Sequence, residues 1–176
     1  MSKMVDNYML TEVIGNGQYG KVYRAQHVVN GEVVAVKSIP LEKIASLPKL
    51  REFTFSEIEN LSIVKSPYIV KFFDKLQTSN NFYLVFEYCA GGTLEELLIK
   101  KKRLQEKEAL TILYQMSEAF KELNYKKIMH RDVKPSNILK QNYIFKLADF
   151  GFCKKLKNHF ELTKTIVGSP IYMAPE

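Results

Sequence analysis

The chain has no tryptophan, only two cysteines and no long apolar run. Cys89 and Cys153 make no disulfide framework and no metal-ligand spacing, which excludes a stapled secreted module and a zinc finger. No stretch approaches the roughly 18 consecutive apolar residues of a membrane span. Residues 1–6 contain no apolar signal-peptide core. These absences predict a cytoplasmic protein, with the nucleus left open. Acidic residues are also in short supply: 19 Asp and Glu face 26 Lys and Arg, for a net charge of +7. Such an excess suits nucleic acid or an anionic membrane surface. However, the one dense basic run, Lys100-Lys101-Lys102-Arg103, has no interleaved aromatic residues to stack on bases. The charge is read as a solvated surface plus a phosphate-binding site, with no nucleic-acid partner.

What is present begins with strand-forming sequence. At 176 residues and 46% hydrophobic, the chain can bury a core and is a soft prior for one domain. Residues 8–14 and 22–26 are rich in aromatic and β-branched types and predict two strands. Between them runs Gly15-Asn16-Gly17-Gln18-Tyr19-Gly20-Lys21. Glycines there let backbone N–H groups approach phosphate oxygens with no side chain between. The spacing alone is weak, because dinucleotide-binding folds use it too, but there it opens a helix. Here β-formers follow, and Asn30-Gly31 predicts a tight hairpin into a third strand over 32–39. Tyr19 is either a loop-tip residue or an ordinary exposed aromatic. Lys37 ends the alternation Val34-Ala35-Val36-Lys37, where a lysine by itself is most often just exposed. Residues 40–48 read as a linker. Residues 51–65 predict a helix with Phe55, Ile58, Leu61, Ile63 and Val64 apolar and Glu52, Glu57 and Glu59 as carboxylates. Ser66-Pro67 stops it. Strands are predicted over 70–77 and 82–86.

Beyond Gly91-Gly92, residues 93–99 predict a short helix capped by Thr93. Residues 105–124 are the clearest helix. Ala109, Ile112, Leu113, Met116, Phe120 and Leu123 recur at steps of three and four and draw a core-facing stripe. Then comes His130-Arg131-Asp132-Val133-Lys134-Pro135-Ser136-Asn137, a strand over 143–147, and Asp149-Phe150-Gly151. Two carboxylates, a lysine and an asparagine in that span can orient a hydroxyl, neutralise a phosphate and hold magnesium, a hard ion that takes oxygen ligands. Gly168-Ser169-Pro170-Ile171-Tyr172-Met173-Ala174-Pro175-Glu176 closes the chain.

In this order the stretches resemble the eukaryotic-type serine/threonine protein kinases, from about residue 8 to residue 176. The resemblance implies an α+β, bilobal fold. Residues 1–7 would be a tail and 8–86 a complete β-rich N-lobe. Residues 87–92 would be a hinge and 93–176 an incomplete, mainly helical C-lobe. It implies ATP and Mg2+ as cofactors. Ile14, Gly15, Asn16, Gly17, Gln18, Tyr19, Gly20 and Val22 would cover the nucleotide, with Val22, Ala35 and Leu139 against the adenine ring. Phe86 would narrow the back of the pocket, and the Glu87 carbonyl and Cys89 N–H would hold the adenine edge. Lys37, positioned by Glu57, would pair with the α- and β-phosphates. Asp132 would accept a hydrogen bond from the substrate hydroxyl, and Lys134 would neutralise the γ-phosphate. Asn137 and Asp149 would bind the metal, and Ser169 would bridge Asp132 and Lys134. His130 would be structural, stacked with Leu61, Phe72 and Phe150.

Residues 152–167 would form the activation loop. Thr165 is its candidate phosphosite, with Thr163 second, and Arg131 and Lys154 would receive the phosphate. An upstream kinase or trans-autophosphorylation would supply it. Asp149-Phe150-Gly151-Phe152 and the final nine residues look most like the autophagy-initiating kinases, with polo-like and calcium/calmodulin-dependent kinases close by. Protein substrates presenting Ser or Thr are implied. Basophilic members place acids where Thr93 and Ser136 stand, so a strict demand for upstream arginine is not expected, although Glu95 and Glu96 lie nearby. The rival reading is a catalytically incompetent kinase fragment that binds nucleotide or acts as a scaffold. Phosphate transfer separates the two.

Overall fold

The alternating β-branched and aromatic residues of the first ninety positions pair into one antiparallel sheet. The computed structural model describes residues 3–17, 20–158 and 167–173. They fall into two units, Met1–Glu52 with Lys71–Tyr88, and Phe53–Val70 with Cys89–Glu176. Residues 53–70 thus group with the second unit, whereas the sequence reading placed 8–86 together. The reason is local bonding: Val70 N–H donates to the Leu147 carbonyl at 2.9 Å, and Leu147 N–H to the Tyr68 carbonyl at 2.9 Å.

The first unit carries β1 (Lys3–Val5), β2 (Tyr8–Asn16), β3 (Lys21–His27), β4 (Val33–Pro40), β5 (Phe72–Gln77) and β6 (Asn81–Glu87) in the order β1-β2-β3-β4-β6-β5. Val5, Tyr8, Leu10, Ala25, Val34, Val36, Tyr83 and Val85 form its core. Because side chains alternate along a strand, Lys37 and Ala35 lie on the face opposite Val34 and Val36. Cross-strand register sets Val22 beside Lys37 and Phe86 beside Ala35.

Three sequence expectations are corrected here. Residues 3–5 are no tail but the outermost strand, registered Lys3↔Leu10 and Val5↔Tyr8. Asp6 takes φ 48 in the turn between them, a conformation Asp tolerates. The linker over 40–48 contains a helix, α1 (Leu41–Ser46), and α2 (Pro48–Ile63) starts on a proline, whose fixed φ suits a first helical position. Finally, Asn30-Gly31 does not make a two-residue hairpin. The loop closes His27 N–H onto the Glu32 carbonyl at 2.8 Å, around residues 28–31. Only Gly31, at φ 72, is left-handed, whereas the two-residue turn needs both central residues there.

The second unit carries α3 (Leu94–Lys101), α4 (Glu106–Tyr125), β7 (Ile128–Met129), β8 (Ile138–Gln141), β9 (Ile144–Leu147) and β10 (Lys154–Lys155). Thr93 and Glu96 form a reciprocal capping box at the start of α3. In α4 the buried line is Ile112, Gln115, Met116, Ala119 and Leu123. Leu113 and Phe120 of the expected stripe are 64% and 37% exposed. The buried line uses a polar and a small residue that hydropathy alone passes over. Gln115 accepts from Phe145 N–H at 2.7 Å and donates to the Tyr143 carbonyl at 3.3 Å, lying alongside β9 as a neighbouring strand would. β8 and β9 pair as a hairpin, and β7 pairs with β10. Among the described residues, no helix is long and apolar enough to cross a membrane.

Candidate active site

β7 and β8 flank the segment 130–137. His130, only 4% exposed, holds it from inside. Its Nε2 lies 3.0 Å from the Ala148 carbonyl, and its Nδ1 accepts from Asp132 N–H at 3.3 Å. One nitrogen must donate and the other accept, so the ring is neutral. Burial lowers its pKa, against an opposing contribution from the Ala148 carbonyl. The ring meets Phe150 edge-on at 5.1 Å. Leu61 and Phe150 are buried in the same unit, and Phe72 lies in the first. The two hydrogen bonds and the Phe150 contact fix the ring in place.

Asp132 is 3% exposed and fully engaged. Ser169 Oγ donates to its Oδ1 at 2.8 Å, and Asn137 Nδ2 to its Oδ2 at 2.9 Å. Lys134 Nζ lies 3.0 Å from Oδ2 and donates to Ser169 Oγ at 2.8 Å. Burial pushes the Asp132 carboxyl up, but the bonds from Lys134, Ser169 and Asn137 and the lysine charge outweigh it, and its pKa is lowered. The bridge expected of Ser169 is present in the geometry. Gly168 permits it: φ is 107, and a Cβ there would strike the Arg131 carbonyl. Arg131, itself left-handed at φ 68, donates from Nε to the Phe152 carbonyl at 2.6 Å.

β9 delivers Asp149, which takes φ 59. Gly151 N–H approaches its Oδ1 at 3.4 Å. Asn137 is tied to the same stretch, since Ala148 N–H donates to its carbonyl at 2.8 Å. The Asn137 amide nitrogen is used on both the carbonyl (2.8 Å) and the carboxylate of Asp132, so Oδ1 is the side-chain atom that could take a cation. Among the described residues, no cluster of three or more His, Cys, Asp and Glu could hold a metal. One carboxylate and one amide oxygen suit a cation that keeps water and phosphate oxygens as its remaining ligands.

In the first unit, Ile14, Gly15 and Asn16 end β2, and Gly17 N–H donates to the Gly20 carbonyl at 2.8 Å. Gln18 and Tyr19 lie outside the described residues. Gly20 is required by the fold as well, because a Cβ would collide with the Ser38 carbonyl. Phe86 meets Phe72 edge-on at 5.7 Å, and Glu87 N–H donates to the Lys71 carbonyl at 2.9 Å. In the second unit, Cys89 precedes a crossing in which Gly91 N–H reaches the Lys140 carbonyl and Thr93 bridges to Leu139. Glu57 is 2% exposed on α2, in the second unit, and Lys37 stands on β4 in the first. Thr163 and Thr165 lie outside the described residues. Lys154 pairs with Met129 on the β10–β7 ribbon. Sequence reasoning missed Gln115, whose only signal is a polar residue on the buried line of α4.

A lysine-bearing strand in the first unit, and in the second a hydrogen-bonded Asp–Lys–Ser–Asn cluster with an Asp-Phe-Gly turn, are groups suited to handling phosphate. The chain belongs to the protein kinase domain family, whose model matches residues 8–176. Its curated relatives include three serine/threonine-protein kinases of Arabidopsis thaliana. ATG1b is 35% identical over 178 residues, 99% of this chain and 25% of the relative. ATG1a is 35% identical over 179 residues (99% and 28%), and ATG1c 34% over 178 (99% and 24%). The chain therefore spans about a quarter of the length of these relatives. The family read from the motifs is the one found, and the relatives' names agree with the subgroup resemblance.

Proposed function

We propose that this chain is the catalytic domain, or part of it, of a serine/threonine protein kinase that moves the γ-phosphate of ATP to Ser and Thr hydroxyls of proteins. The observation that carries the reading is the buried Asp132 carboxylate, kept ionised by Lys134, Ser169 and Asn137. An ionised carboxylate can accept the hydrogen bond of an incoming hydroxyl and orient its oxygen in line with the γ-phosphorus. The hydroxyl oxygen forms the new P–O bond, the bond to the β-phosphate oxygen breaks, ADP leaves, and Asp132 receives the proton late. Lys134 would offset the charge on the transferring group, and Lys37, on the first unit, would meet the α- and β-phosphates. Asn137 and Asp149 would hold Mg2+, which when bound neutralises phosphate charge. In the first unit, Val22, Ala35, Phe86 and Glu87 are the residues proposed to meet adenine; in the second, Leu139 and Cys89 are.

Thr165 is proposed as the activating phosphosite, and the cytoplasm as the place of action. The α3 cap bears on substrate choice. Glu96 Oε2 accepts from Thr93 N–H at 2.8 Å, so this carboxylate is committed to the helix start. That supports acceptor sequences without an obligatory upstream arginine.

The test is phosphate transfer by the purified chain with Mg-ATP and a generic protein acceptor, read by mass spectrometry beside Asp132→Asn. Transfer that disappears in the variant is expected. A soluble, folded chain that transfers nothing would reduce this sequence to a kinase fragment.

A further inference from the structure

Helix α2 has a buried polar stripe that its role as a carrier of Glu57 does not require. Thr54, Glu57 and Asn60 are 2%, 2% and 1% exposed. Asn is a poor helix former, and burying its amide costs free energy unless the amide is bonded. Asn60 donates from Nδ2 to Ser56 Oγ at 3.1 Å. Ser56 in turn donates to the Cys153 carbonyl at 3.1 Å. A mid-helix serine usually turns its hydroxyl back onto its own helix. This one is aimed outward by the amide below it. One turn earlier, Phe53 meets Phe152 edge-on at 5.4 Å. Positions 53, 56 and 60 are spaced i, i+3, i+7 and share a helix face.

The receiving segment is held from its other side as well. The Phe152 carbonyl takes Arg131 Nε at 2.6 Å, and Cys153 Sγ lies 3.5 Å from the His130 carbonyl. Two adjacent carbonyls, 152 and 153, are therefore captured by different elements: the catalytic loop takes one and α2 takes the next. Cys153 N–H closes the turn onto the Phe150 carbonyl at 3.0 Å, directly after Asp149.

We infer that Ser56, oriented by Asn60, is a positioning residue that fixes the metal-binding turn of Asp149 against α2. It acts through the backbone of residues 150–153 and touches neither nucleotide nor metal. The inference rests on the kinase reading for the role of Asp149, while the latch itself stands on geometry alone.

The experiment uses Ser56→Ala, with Ser56→Thr as the variant that keeps the hydroxyl, in the intact chain. Amide hydrogen exchange is followed across residues 150–156 without nucleotide. Loss of the latch should speed exchange at Cys153 about five-fold, the worth of one ordinary hydrogen bond, and the threonine variant should restore the slow rate. ATP affinity is then measured by calorimetry with and without Mg2+. In Ser56→Ala the Mg2+-dependent gain should fall about five-fold, with metal-free affinity unchanged. Unchanged exchange overturns the latch. Faster exchange with an intact Mg2+ gain overturns its link to the metal site. A wild-type chain with no Mg2+ gain overturns the kinase reading instead, and the exchange result then decides the latch by itself.

Discussion

A chain begun at Tyr8, the first residue of the family match, should be markedly less stable than the chain that keeps its first residues. Deletion of residues 1–7 removes β1 from the sheet edge. Val5 is 3% exposed and belongs to the core with Tyr8, Leu10 and Tyr83. Burying a valine contributes about 1.5–2 kcal/mol. Tyr8 and Leu10 also lose cover, which adds about 1 kcal/mol at 25 cal/mol per Å2 for some tens of Å2 of newly wetted surface. Lys3 Nζ lies 3.0 Å from the Tyr83 hydroxyl, but Lys3 is exposed and water can replace it, so little is added. The sum, about 3 kcal/mol, is a large share of the 5–15 kcal/mol of a typical domain. For a chain this size it lowers Tm by roughly 6–12 °C. The assay is urea and thermal unfolding followed by circular dichroism, with Val5→Ala expected to account for about half the loss and Lys3→Met for almost none. A chain starting at Tyr8 that melts within about 1 °C of the longer one would refute the assignment of β1 to the core.

Further expectations concern the site and its support. Ser169→Ala removes one bond to the Asp132 carboxylate and one from Lys134; transfer should slow about ten-fold in kcat with ATP KM held, and Ser169→Thr should recover most of it. Since the Asp132 pKa is lowered, the stability it contributes is present above its unfolded value near 3.9 and is lost as pH falls through the folded value, so its signature in an acid titration lies below about pH 4. His130 acts in the same direction but higher on the pH scale: the folded ring resists a proton that the unfolded one accepts, so stability should drop from about pH 6.5 downward, and His130→Gln should flatten that slope in chemical unfolding at stepped pH. Gly20→Ala forces a Cβ onto the Ser38 carbonyl and should cost about 1–3 kcal/mol in urea, whereas Gly15→Ala meets only Val22 at 3.6 Å and should be felt in ATP affinity. Burial pushes the Cys153 thiol up, so iodoacetamide at neutral pH should label the half-buried Cys89 and spare Cys153 until the chain unfolds.

Motif spacing made the site legible because its chemistry needs fixed residue types at short range. Ser169 bridges Asp132 and Lys134 as expected, and the Asn137 amide joins them by donating to Asp132, a bond the motif does not announce. Thr93 caps α3 for the same local reason. What stayed hidden depends on partners distant in sequence. Nothing in Lys3-Met4-Val5 tells a strand from a tail until β2 supplies its edge. Gln115 and Asn60 look like surface polar residues in a helix, and only the backbone of β9 and the Ser56 hydroxyl explain their burial. Leu113 and Phe120 read as core by periodicity, but the line that is covered runs through Gln115 and Ala119 instead. Asn30-Gly31 favours a tight turn, but dipeptide preference does not set loop length, and the loop closes around residues 28–31.

The outer side of β9 has a consequence for how this chain keeps to itself. An open strand edge is a template on which a foreign strand can grow. Here the Tyr143 carbonyl and Phe145 N–H are taken by the Gln115 amide, and both backbone groups of Leu147 are taken by Tyr68 and Val70. The β8–β9 ribbon therefore offers a stray chain no continuous row of donors and acceptors on that side. Replacing Gln115 with an isosteric apolar residue would reopen the middle of the row, and the first symptom to watch for is concentration-dependent self-association.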